Sequence, residues 1–126
     1  MSSEFSEERK VINTSRTFRG LEMRVEASSI PGATFYARFI TNHAEMTLSN
    51  LGRDGELELD ICIPGKHCDV NKVKAVIREL EVLTLQGETL MRVAEQMGID
   101  GLFDNMAYDA LTKRNTAFVG TDSPKK

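Results

Sequence analysis

Two cysteines and two histidines are the whole complement of thiols and imidazoles in this chain, and Cys62, His67 and Cys68 fall within seven residues. With His43 they would supply four ligands for a tetrahedral zinc ion. The spacing argues against such a site. Structural zinc sites draw paired ligands from a tight Cys-x2-4-Cys knuckle, whereas Cys62 and Cys68 stand six apart, one on a strand and one at a helix entrance. Cys68 has a second chemistry open to it. A thiol just ahead of a helix and beside His67 can have its pKa lowered by the helix dipole and an imidazolium, which makes a nucleophile or a redox sensor. Asp69 adds negative charge at the same place, and the sequence assigns no partner to orient the His67 ring. A thiol-based redox or metal role at Cys68 and His67 therefore stands as a second alternative, and Cys68 reads first as a small apolar residue at the end of the helix.

Carboxylates cluster as Glu56, Glu58 and Asp60. Glu58 and Asp60 share a strand face that reads as solvent, where nothing separates their pKa values into an acid and a base. Gly52-Arg53-Asp54-Gly55 leads into a strand and lacks the GxxxxGK[ST] continuation of a phosphate loop. Val93–Ile99 resembles the end of a first helix and its turn in a helix-turn-helix. The following helix would present Asp100, Asp104, Asn105 and Asp109 to the duplex, which repels it. The sequence thus offers no catalytic set, and no cofactor is expected.

Charge is unevenly placed. The net value is -3, which gives the protein as a whole no attraction for a phosphate backbone. Arg9, Lys10, Arg16, Arg19 and Arg24 are nevertheless opposed only by Glu22, a local excess of +4, while residues 45–69 carry a local excess of -4. Neighbouring strands would let these segments neutralise each other. On separate surfaces, the basic segment with Phe18 becomes a candidate nucleic-acid contact and the acidic one a docking surface for a basic partner.

These residues need elements to hold them. In the first half, Leu21, Met23, Val25 and Ala27 alternate with charged residues, as do Phe35, Ala37 and Phe39 with Tyr36 and Arg38. Met46 and Leu48 mark a short strand, and Leu57, Leu59, Ile61 and Ile63 the cleanest one. Val11–Phe18 offers a weaker further strand. The outer face would then carry Glu22, Arg24, Glu26, Tyr36, Arg38, Glu58, Asp60 and Cys62. The second half changes period. Asp69 suits an N-cap, and Val73, Val76, Leu80, Leu83, Gly87, Leu90, Ala94 and Met97 follow a heptad-like seam. A continuous helix along that seam would run ~42 Å in a domain roughly 36 Å across, so a break at Gly87 is expected. Gly98 closes the next segment, and Leu102–Leu111 form a last helix.

The expected fold is α+β, an antiparallel sheet of about four strands from the N-terminal half with about three helices of the C-terminal half packed on one face. It is a single domain over 1–126, with an ordered core about 9–114 and loose tails 1–8 and 115–126. No apolar run approaches the roughly 20 residues of a membrane span, and residues 1–10 have no signal-peptide pattern. A cytoplasmic location is expected, and Asn13-Thr14-Ser15 is then a chance glycosylation match. The functional expectation is a small non-enzymatic regulatory or adaptor protein, an inhibitor, chaperone or assembly subunit. It would bind another protein through Glu56, Glu58 and Asp60 or through the seam at Leu80, Leu83 and Leu90, the seam also making a homodimer. Nucleic-acid binding through Arg9–Arg24 is the first alternative.

Overall fold

The computed structural model describes residues 8–52, 54–64, 70–113 and 116–122. Six strands form one antiparallel sheet: β1 (Arg9–Phe18), β2 (Leu21–Ile30), β3 (Thr34–Ile40), β4 (Glu45–Ser49), β5 (Glu58–Cys62) and β6 (Thr116–Asp122), in the order β5-β4-β3-β2-β1-β6. A 3-10 turn, Val70–Lys72, runs straight into one long helix, α1 (Val73–Thr112), which packs on one face. Four strands with three helices is therefore the wrong count.

β1, expected only as a weaker further strand, and β6, not expected at all, complete the six. A period-two pattern is visible only when the inward positions are apolar, and β1 turns Ile12, Thr14 and Arg16 to the helix side. Thr14 is buried, and Arg16 is ion-paired to Asp109 of α1. The Thr14 hydroxyl donates to the Ser15 carbonyl oxygen at 3.3 Å and Arg16 is held by the helix, so polar side chains at inward positions mask the strand. β6, TAFVGTD, was expected as loose tail, but it pairs with β1 from Arg9↔Asp122 to Ser15↔Thr116. β1 and β2 are joined through Arg19 and Gly20, both with positive φ (53° and 80°). That geometry matches the right-handed twist of a two-residue hairpin. Arg78 of α1 donates to the Arg19 carbonyl oxygen at 2.6 Å and ties the turn to the helix.

The helical half runs through Gly87, where a break was expected, and is interrupted only at Gly98, where the sequence placed the end of a segment. Gly87 is helical and buried, and a Cβ there would lie 2.3 Å from Leu59 Cδ1 and 2.9 Å from Met46 Sδ. Its missing side chain lets α1 approach β4 and β5. Gly98, at φ 79° and ψ 176°, is the non-helical point inside α1. The break turns the last stretch so that Leu102, Phe103, Met106 and Ala110 are buried with the sheet residues Phe35, Phe39, Met46 and Leu48. Phe35 and Phe103 meet edge to face, with ring centres 6.4 Å apart.

The middle of the seam belongs to this core, while Val73 and Met97 at its ends are exposed. Leu83 and Leu90 are buried within it and Leu80 packs partly buried against it, so none of the three lies on a free helical stripe. Gln86 is also buried, beside a cavity of ≈ 220 Å³ bordered by Ile12, Thr14, Phe39 and Met106. Its Oε1 has no hydrogen-bond partner among the described residues. An unsatisfied buried acceptor costs about 1–3 kcal/mol. Gln86→Met, which keeps length and removes the acceptor, is expected to raise unfolding free energy by about 1 kcal/mol in urea titration. A loss of that size would show that the amide is satisfied in solution.

Candidate functional site

Two features stand out on this scaffold: the uncovered face of the sheet with its β5 edge, and a cleft at the end of the sheet where α1 begins.

The uncovered face follows from the register. Asn13, Glu26, Arg38, Thr47 and Asp60 occupy one row across β1 to β5, and Val11, Ser28, Tyr36, Ser49 and Glu58 the next. No described element packs over them. Arg38 joins the middle of the face, 2.9 Å from Glu45 and 3.6 Å from Glu26, and Arg24 pairs with Glu26. The hydrogen bond and charge of Glu45 hold the Arg38 pKa above its ordinary value, against desolvation. Val11, Tyr36 and Phe118 border a shallow groove on the β1 side.

The acidic and basic segments do not neighbour each other, since β2 and β3 separate β1 from β4. The five cations of residues 9–24 are also divided. Arg9 and Arg24 point to the uncovered face, Lys10 and Arg16 to the helix side, and Arg19 sits in the hairpin turn. Arg16 and Arg19 both lie over the Phe18 ring, at 5.4 and 5.8 Å. Arg16 and Arg24 already hold carboxylates, which leaves no continuous basic surface in this segment. The acidic segment is different. Glu56, Glu58 and Asp60 are all exposed on or beside the edge strand β5, and none forms an ion pair among the described residues.

The cleft is built around a residue the sequence did not single out. Glu79 lies on the sheet-facing side of α1, its side chain only 3% exposed. It reaches the turn between β3 and β4, residues 41–44. Thr41 Oγ1 donates to Glu79 Oε1 at 2.7 Å, the His43 backbone N–H donates to the same oxygen at 2.7 Å, and His43 Nδ1 lies 2.8 Å from Oε2. Ala44 N–H donates in turn to Thr41 Oγ1 at 3.2 Å. Burial alone would raise the Glu79 pKa. The bonds from Thr41 and His43, with the His43 charge, outweigh it and hold the carboxyl below its ordinary value.

Fixing His43 through Nδ1 leaves Nε2 as its other bonding position, and Nε2 has no partner among the described residues. The His43 side chain borders a cleft of ≈ 490 Å³, shared with Ile40, Ile63, Pro64, Lys72 and Val76. A signal for Glu79 was present in the sequence. It falls three residues after Val76 and four before Leu83, so it is a carboxylate at a core position and needs a buried partner.

The remaining residues are quickly placed. Cys62 is exposed on β5, opposite Glu45. His67, Cys68 and Asp69 lie outside the described residues, and no group of three metal-ligating side chains occurs among those described. No described helix is long and apolar enough to cross a membrane. Compared with known proteins, the chain matches no family model, no curated protein and no solved structure.

Proposed function

We propose that this is a small, non-enzymatic regulatory or adaptor protein, acting in the cytoplasm by binding a basic surface of another protein through its β5 edge. The observation that carries the reading is the exposed set Glu56, Glu58 and Asp60, without an ion pair among the described residues, on and beside a strand whose outer edge pairs with no described strand. Carboxylates on an edge discourage indiscriminate strand pairing and favour a partner bearing Lys or Arg. The face beside that edge is uncovered, so a docked surface can extend across β4 and β3.

The middle of the helical seam, Leu80 to Leu90, is packed on the sheet, so a homodimer would use the uncovered sheet face. A twofold axis along the strands sets the β5 side of one copy over the β1 side of the other, bringing carboxylates toward Arg9. Nucleic-acid binding has less support, because the five cations are scattered and two are paired.

The test is capture of partners from the native host with the wild type and with Glu58→Lys combined with Asp60→Lys. A specific partner with a basic surface is expected, bound about tenfold more weakly by the variant, or about 1.4 kcal/mol. Self-association would appear as sedimentation at twice the monomer mass, reduced in the same variant. Capture and mass that ignore the charge reversal would overturn the assignment to this edge.

A further inference from the structure

We propose that the cleft beside His43 binds a small molecule carrying a carboxylate on an apolar body, at a site separate from the acidic edge. Its volume of ≈ 490 Å³ lies in the range of small-ligand pockets, which combine apolar walls with a few fixed polar groups. Ile40, Ile63, Pro64 and Val76 supply the walls.

The polar groups select the head. Glu79 holds the ring through Nδ1 at 2.8 Å, which fixes the direction of Nε2 without consuming it. In the imidazolium form both ring nitrogens donate. Glu79 accepts one of these bonds, and a ligand carboxylate would accept the other. Lys72 borders the same cleft and forms no ion pair among the described residues. It supplies a positive charge for the head. The Glu45 carboxylate on the cleft rim is held by Arg38 at 2.9 Å, so its charge is partly offset where an anion would enter. Glu79 is itself buried beneath the turn and engaged by three donors.

The experiment titrates the full chain with hexanoate, hexanamide and hexan-1-ol at constant ionic strength, following the ring carbon–proton NMR signals of both histidines. His67→Gln assigns which signal is His43. Hexanoate should shift the His43 ring saturably, and the amide and alcohol should bind at least about tenfold more weakly. Lys72→Met, a change at an exposed position, should weaken hexanoate by a similar factor without disturbing the His43–Glu79 pair. A peptide ending in leucine, tested with a free and an amidated C-terminus, separates a free acid from a chain terminus as the source of the same head group. No saturable shift with either acid, equal affinity for acid, amide and alcohol, or indifference to Lys72→Met would each overturn the proposal.

Discussion

Replacing Glu79 with Ala should cost about 3 kcal/mol of folding stability and lower the melting temperature by on the order of 10 °C. Three donors converge on this carboxylate, from the Thr41 hydroxyl, the His43 amide and the His43 ring. Hydrogen bonds to a charged acceptor contribute about 1.5–3 kcal/mol each, and a buried donor left without a partner loses its desolvation energy in full. The truncation also opens space beneath the β3–β4 turn. Glu79→Gln should cost less, because the amide oxygen can still accept from Thr41 and the His43 amide while its NH2 group donates to a neutral Nδ1.

The wild type and Glu79→Gln also differ in acid. The folded Glu79 pKa lies below its unfolded value, so between the two values the unfolded chain binds the extra proton and stability rises with pH. The carboxylate's contribution is complete above the unfolded value, about 4.3, and disappears as pH falls through the folded one. Urea unfolding at stepped pH should therefore show the gap between wild type and Glu79→Gln narrowing below about pH 4. A constant gap down to full protonation would mean that the charge of Glu79 contributes nothing to the turn.

Gly98→Ala should cost about 2–3 kcal/mol, far more than Gly87→Ala, although both replace a glycine within α1. At φ 79° and ψ 176° Gly98 occupies a region essentially closed to any residue with a Cβ. Relieving the strain by straightening the helix would draw Leu102, Phe103, Met106 and Ala110 away from the sheet. Gly87 has ordinary helical geometry and suffers only from lack of room. The atoms a Cβ would meet are a terminal methyl of Leu59 and the sulfur of the buried but unbranched Met46, side chains that can shift to admit it. Alanine also favours a helix over glycine by about 1 kcal/mol, so the net change at Gly87 should stay within roughly 1 kcal/mol. Thermal unfolding of both single variants decides the matter, and a Gly98→Ala protein as stable as the wild type would show that the bend is not required.

This contrast shows how far residue types alone declare the fold. β2, β3, β4 and β5 were legible because their inward positions are almost wholly apolar, and a half-buried strand writes that alternation directly. β1 was faint because Thr14 and Arg16 stand where apolar residues would, Thr14 satisfied by the Ser15 carbonyl and Arg16 by Asp109 of α1. β6 has too little alternation to be recognised without its partner β1. Gly87 and Gly98 look alike as letters. One answers a need for space and the other a need for φ, and only the distance to Leu59 tells them apart. The acidic edge could be read directly, since Glu56, Glu58 and Asp60 have no need of partners to be exposed. The His43–Glu79 pair could not, because its members lie on different elements and meet only after α1 has docked.

The pairing of β1 with β6 has a bearing on how the protein is made. As the chain leaves the ribosome, β1 can pair at once with β2 through the tight Arg19–Gly20 turn, but its other edge must wait for residues beyond α1. Throughout synthesis that edge presents a row of unpaired amides and carbonyls, able to template pairing with another nascent chain. β6, emerging after α1, therefore covers the free edge of β1, and a truncation ahead of Thr116 would leave β1 as a permanent sticky margin.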